Sequence, residues 1–396
     1  MGAEDSLAFV PFSSSAGSPS SKPPKAMSAS AKQEATRFVN GLTADGVAVP
    51  NVRDGLQTAV DLLRSIRVPR RTAAIFLMTP GNVQSGEARE VDVQGLPVFT
   101  FGFGDALKME LLKDIAYMSY GGTYQNVPNP ATENLMLPNV GRTLAIVRDI
   151  SVLNVSVNLR PKGGAKIQQV YAADTNNTSR YTGRSRPTMD GSMTAEFGDL
   201  ARTERRSIFV DIQLPAVAAD QNPNKFLDID CTYRPAKTRR IETDRAWVNM
   251  ARSRGAGARL RAAPTEDFQA EVARRDHVLR LSKMKSLADG KRFNDGAMDE
   301  LMAEAGRALQ QSGHAMGANM HHALSLELEQ LRRLLRSHEV YSSRGRAYML
   351  AAILSHDRQR FAARGGDQDV MIFVLPRMRK YAEHAHEFHK NPNAPI

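Results

Sequence analysis

The side chains best suited to chemistry lie toward the C-terminus, because all nine histidines fall after residue 270. His384, His386 and His389 in EHAHEFHK are the densest group. Histidines three apart share a helix face and can hold a transition metal. No cysteine lies nearby, and a polar terminal helix accounts for the same pattern. His321 and His322 suit a helix start, and His356 suits a packed or hydrogen-bonded position within a helix. Gly102-Phe103-Gly104 follows an apolar run, but Leu107 stands where a dinucleotide fingerprint needs its third glycine. Ser13 to Ser15 offer hydroxyls without the G-x-S-x-G turn that activates a serine. Cys231 is the sole cysteine, which excludes a disulfide framework and Cys-rich zinc modules. Met1-Gly2-Ala3-Glu4-Asp5-Ser6 fits a loose myristoylation pattern, yet acidic residues follow at once and one acyl chain anchors weakly. These residues give no reason to expect a cofactor.

The elements that would position such residues change character along the chain. Its 396 residues allow two or three domains, and 42% apolar content is enough to fill their cores. No apolar run approaches the roughly 18 residues of a membrane helix. The first residues lack the basic and apolar segments of a signal peptide. With one cysteine, these features point to an intracellular, cytoplasmic protein. The net charge is +11. Residues 1–150 carry equal numbers of acids and bases, so the excess lies beyond them. It concentrates at Arg234, Lys237, Arg239, Arg240, Arg245, Arg252, Arg254, Arg259 and Arg261. Such a cluster can attract nucleic acid, anionic lipid or an acidic protein. Trp247 stands alone there, without the interleaved aromatics of a base-stacking surface. A solvated basic linker is the simpler reading, and nucleic acid is not an expected partner.

Residues 1–149 read as an α/β unit. TAAIFLMTPGN (Thr72 to Asn82) and PVFTFGFGD (Pro97 to Asp105) are short apolar runs ending in turn residues, as in parallel strands of a doubly wound sheet. Leu7 to Phe12 is a short β-like run, and Ser13 to Lys25 reads as a loop. Helices are expected over Ser30 to Leu42, over Asn51 to Ile66 and from Asp105 to Met118. An edge strand begins at Tyr124, and a last helix, interrupted near Pro138, reaches Val147. Residues 150–235 switch to period-2 alternation. Leu153, Val155, Val157 and Leu159, then Ile208 to Leu214, then Leu227 to Tyr233 mark half-buried strands of an antiparallel β-sandwich. Residues 236–264 read as the basic linker. Residues 265–390 form a helical hairpin or bundle, with Leu324, Leu328, Leu331 and Leu335 as a packing stripe. Residues 391–396 read as a disordered tail.

The chain resembles a plant family of intracellular proteins that join a RING finger, a von Willebrand A (vWA) domain, a β-rich middle and a C-terminal vWA-interactor region. These are RING-type E3 ubiquitin ligases of the wavy-growth group. The resemblance rests on DSLAFVPFSSSA (Asp5 to Ala16), TAAIFLMTPGN, PVFTFGFGD, YGGTY (Tyr120 to Tyr124) and VYSSRGRAYMLAAILSHDRQRFAARG (Val340 to Gly365). It implies a truncated vWA-like sheet in which Asp5 to Ala16 corresponds to the second strand. The first strand and its DxSxS motif have no counterpart.

The same resemblance implies a degenerate metal site. Val47 and Ala48 stand where polar ligands would be expected, and Pro80 replaces an aspartate. Asp45, Thr79 and Asn82 remain as weak oxygen candidates for Mg2+, which wants six oxygens in near-octahedral geometry. One cysteine cannot supply the eight ligands of a RING. The implied protein is therefore a non-catalytic interaction module that binds protein partners. The alternatives are a RING-less regulator that pairs with full-length ligases through its C-terminal helices, or a fragment of a complete ligase.

Overall fold

A computed structural model describes residues 1–13, 22–43, 49–65, 72–80, 87–93, 95–104, 109–127, 133–171, 186–187, 190–218, 220–252, 265–293 and 296–391. Strands β1 (Ser6–Phe9) and β2 (Lys22–Ala26) form an antiparallel pair. The stretch expected as a loop through Lys25 thus contributes a strand. Helix α1 (Ala29–Asn40) follows, capped by the Ser28 hydroxyl. Helix α2 (Val52–Ser65) starts where Asn51 Oδ1 accepts from the Asp54 amide at 3.2 Å. Its Val52, Leu56 and Val60 pack on β3 (Ile75–Pro80) through Ile75 and Leu77. The parallel sheet continues with β4 (Val98–Phe103), α3 (Met109–Met118), β5 (Tyr124–Val127) and α4 (Glu133–Arg148). Its strand order among the described residues is β3-β4-β5. Among the described residues, strand β1, in the segment that the vWA resemblance makes the second strand, pairs with β2 in a separate sheet.

The antiparallel region is built on β6 (Ile150–Pro161), which pairs on both sides. Strands β7 (Lys166–Tyr171) and β10 (Phe209–Gln213) form a two-stranded ribbon. Strands β8 (Arg186–Pro187), β9 (Met193–Ala201), β11 (Gln221–Pro235) and β12 (Glu242–Arg252) join β6 in the order β12-β11-β6-β9-β8. The pairing of β6 with β9 shifts register around Asn154 (φ 52°) and Gly198 (φ 71°), both left-handed. The expected linker at 236–264 is corrected here. Its residues 242–252 are a full strand on the edge of the sheet, and 253–264 lie outside the described residues.

The helical region comprises α5 (Glu266–Asp289), α6 (Ala297–Leu334), a short α7 (His338–Val340), α8 (Arg346–Arg358) and α9 (Pro376–Lys390). Gly317 (φ 69°, ψ 152°) breaks α6 into two segments. A π turn at Tyr341–Gly345 leads into α8. Leu324, Leu328, Leu331 and Leu335 all enter the helical core. The stripe proposed for pairing with a partner helix is therefore consumed within the chain.

Helix α8 is apolar around most of its circumference, as a fully buried helix must be. Met349 and Ala352 join the helical core, while Ala347, Leu350, Ala351 and Leu354 join the α/β core. Phe361, just beyond it, packs with Phe99, Phe101, Ile146 and Met378 on the other sheet face. One segment thus links two cores and reaches a third.

Candidate functional site: a buried polar junction at residues 356–364

Helix α8 stops at Gln359, which takes the left-handed conformation (φ 46°). Arg360 N donates to Ser355 O at 3.0 Å, and Ser355 Oγ donates to Arg360 O at 2.8 Å. This tight exit fans the following side chains in three directions. Toward the α/β unit, the Arg358 guanidinium donates to the carbonyls of Tyr117 and Ser119, and Arg360 donates to the Gly121 carbonyl. The main chain also adds hydrogen bonds there. Asn126 N donates to Ala363 O at 2.9 Å, and Ala363 N donates to Gln125 Oε1 at 2.5 Å.

Toward the antiparallel region, Gln359 takes both main-chain groups of Ser207. Its Oε1 accepts from Ser207 N at 2.8 Å, and its Nε2 donates to Ser207 O at 2.7 Å. Arg360 grips Glu204 with two bonds of 2.7 Å, and Arg206 meets the same carboxylate at 2.7 Å. Burial alone would raise the Glu204 pKa, but the two guanidinium groups hold it at about 2. Burial lowers Arg358 to about 10.

Toward the helical region, Glu327 on α6 is fully buried. Its Oε2 lies 2.9 Å from His277 Nε2 on α5 and 2.9 Å from His356 Nε2 on α8. Arg364 Nε is 2.8 Å from Glu327 Oε1. Burial would raise the Glu327 pKa, yet Arg364 and the two imidazoles hold it well below the usual carboxylate range. Burial lowers His356 to about 4, against the opposing pull of Glu327. His356 is therefore neutral at pH 7 and donates from Nε2.

Two histidines and a carboxylate are also the donor set of a transition-metal site, and their ligating atoms lie within 4.8 Å of one another. The surroundings do not fit a dication. Arg364 already neutralises Glu327, and Arg274 lies close by, donating to the His356 carbonyl at 3.2 Å. Metal-bound histidine donates its second ring N–H to an acceptor, whereas Nδ1 of both His277 and His356 lacks a partner. With Nε2 carrying the proton, both imidazoles donate to one buried carboxylate. That arrangement is a charge-balanced clamp.

The residues singled out from sequence fall elsewhere. Thr79 is the penultimate residue of β3, opposite Gly102, and is 2% exposed, while Asp45 and Asn82 lie outside the described residues. Of the basic cluster, Arg234, Lys237 and Arg240 are exposed. Arg239 bonds back to the Ala236 carbonyl at 3.2 Å. Arg245 and Arg252 lie on β12, and Arg254, Arg259 and Arg261 are outside the described residues. Acidic partners interrupt this surface, with Arg160 on Asp230 and Lys225 on Asp228, each at 2.7 Å. His384 stacks on Tyr381, and His384, His386 and His389 are spread along α9 without forming a metal-ligating group.

His356, expected to be packed or hydrogen-bonded, is both, while His277 and Glu327 beside it are not among the residues the sequence singles out. Glu327 carried a signal, because it sits in phase with Leu324, Leu328 and Leu331 on an apolar face. Glu204 and Arg206 carried none, since their burial depends on a segment far along the chain.

Residues 318–387 match a family model described as "VWA / Hh protein intein-like". A solved structure of a von Willebrand factor type A protein from Catenulispora acidiphila is similar at TM-score 0.62 and 14% identity. The match covers 82% of this chain and 73% of that one. The ArnB paralog VWA2 from Sulfolobus acidocaldarius is similar at TM-score 0.38 and 12% identity, covering 80% of this chain and 71% of that one. Human COPII-coat protein Sec24c gives TM-score 0.46 and 11% identity, with 96% and 51% covered. No curated protein matches the chain. The first structural likeness and the family model define a multi-domain α/β protein with a vWA-like fold. Among the described residues, no helix is long and apolar enough to cross a membrane.

Proposed function

We propose that this chain is a non-catalytic protein-interaction module, a scaffold that holds a vWA-like unit, an antiparallel sheet and a helical region in fixed relation. The supporting observation is the junction at residues 356–364. Its guanidinium, imidazole and carboxylate groups are directed at neighbouring segments of the same chain, so they serve to orient surfaces. On this reading the chain is an intracellular, cytoplasmic relative of the RING/vWA ubiquitin ligases, with a degenerate metal site and no enzymatic activity. RING-bearing relatives are its first candidate partners. The leucine stripe on α6 is buried, so pairing through that helix draws no support.

The test is binding of the purified full chain to purified RING-bearing vWA relatives, measured by calorimetry. Saturable binding that is unchanged by EDTA supports the reading. Failure to bind these relatives, together with no saturable partner in proximity labelling relative to an unrelated vWA-fold control, overturns it.

A further inference from the structure

Among the described residues, strand β12 is the outer strand of the five-stranded sheet, and it is exposed along nearly its whole length. It is long for an edge strand, at 11 residues. An unpaired edge presents a row of free N–H and C=O groups to any extended segment that can match it. Apolar side chains lie along or beside it, including Trp247 at 58% exposure and Ile241 at 64%. Its charges are unevenly placed. Glu242, Asp244 and Arg245 leave the first half with one excess negative charge, and Arg252 ends the strand with a positive one.

That placement makes the strand complementary to itself. When two copies run antiparallel about a two-fold axis at Trp247, Glu242 falls opposite Arg252 on each side. Ala246 falls opposite Val248, and the two Trp247 side chains meet at the centre. Arg245 falls opposite Asn249 and Asp244 opposite Met250, so no like charges face each other. Directly opposed residues share a sheet face, so Ala246 and Val248 add to the face that carries Leu227 and Ile229. Arg252 Nη1 already donates to the Pro215 carbonyl, but a guanidinium has five N–H donors and can serve both. An isologous contact of this kind closes on itself and yields a dimer.

We infer that the edge of β12 is a self-association surface, on which two copies of this chain join their sheets in antiparallel register centred on Trp247. This deepens the interaction-module reading and rests on it. The occupant is a second copy of the chain, because Glu242 and Arg252 fall opposite each other when this strand is read in reverse.

The test is the mass of the full chain in solution by sedimentation equilibrium from about 1 to 100 µM. The expected result is a concentration-dependent dimer. Glu242→Arg and Arg252→Glu should each weaken dimerisation about tenfold or more, because symmetry turns two opposite-charge pairs into two like-charge pairs. Mixing the two variants restores opposite charges at both ends, so the mixture should dimerise where neither variant does alone. Circular dichroism and the thermal midpoint establish that each variant is folded. If Arg252→Glu is not, Glu242→Arg mixed with wild type serves instead. That mixture carries one repulsive pair per mixed dimer and should fall between the two parents in strength. A wild-type monomer at all concentrations overturns the inference but leaves the scaffold reading open, since partner binding is measured separately. A dimer indifferent to Glu242→Arg also overturns it, by placing the contact elsewhere.

Discussion

The segment at 356–364 and strand β12 both carry arginines, and the two sets occupy opposite surroundings. Arg360 and Arg364 are nearly sealed from solvent, and each meets a buried carboxylate, Glu204 or Glu327. Arg245 is 77% exposed and lies 4.0 Å from Asp230, a loose surface pair. The same guanidinium is structural in the first case and recognitional in the second. In the junction, water is excluded, so every charge must find a counter-charge or the fold is destabilised. On β12, solvent screens each charge, which leaves it available to a partner at little cost to folding.

The sharpest way to break this contrast is to neutralise Glu204. Glu204→Gln keeps the shape and leaves Arg206 and Arg360 without their shared counter-ion. Urea unfolding should show a loss of about 3–5 kcal/mol. A loss under about 1 kcal/mol would mean that the carbonyls of Gly121 and Asp199 suffice to hold Arg360. Glu327→Gln should cost somewhat less, about 2–3 kcal/mol. The amide oxygen still accepts from one imidazole, while Arg364 loses its ion pair.

The pH dependence follows from the same groups. His356 has a folded pKa of about 4 against an ordinary value of 6.5. Below about pH 6.5 the unfolded chain takes up a proton that the folded chain refuses, so stability falls between about 6.5 and 4. Glu204, held at about 2 against 4.5, extends the loss as pH falls from about 4.5 toward 2. Glu327 is also held below its ordinary value and adds to this lower limb. Above about pH 7 these groups leave stability flat. Chemical denaturation across pH should show both limbs, and His356→Asn should remove the upper one alone. The smallest effect is expected on the exposed side of the comparison. Arg245→Ala should change stability by less than about 0.5 kcal/mol, and a larger loss would show that the pair with Asp230 is structural.

How much of this could be read from the chain depends on how local the cause is. The strands ending at Pro80 and Phe103 were legible because a parallel strand is a short apolar run bounded by turn residues. Helix α2 was legible from Val52, Leu56 and Val60 at helical spacing. Strand β12 was not, because ETDRAWVNMAR is solvated on both faces and has no buried side to impose alternation. Its cluster of charge resembled a linker, and only pairing with β11 made it a strand. Within VYSSRGRAYMLAAILSHDRQRFAARG the glycine at 365 is the local stop signal, but α8 ends earlier, at Gln359. The side-chain bonds of Gln359 and Arg360 to distant segments offset the cost of a left-handed non-glycine residue.

By itself, the sequence determined the α/β beginning, the antiparallel middle and the helical end, because hydrophobic periodicity is a property of neighbouring residues. It also restricted the cysteine chemistry and placed the excess basic charge beyond residue 150. Tertiary structure alone decided which charges are buried and which are free. Arg360 meets Glu204 across 156 residues, and His277 meets Glu327 across 50. Those encounters are fixed by how two cores close around α8 and a third around Phe361 beyond it, so no local pattern encodes them.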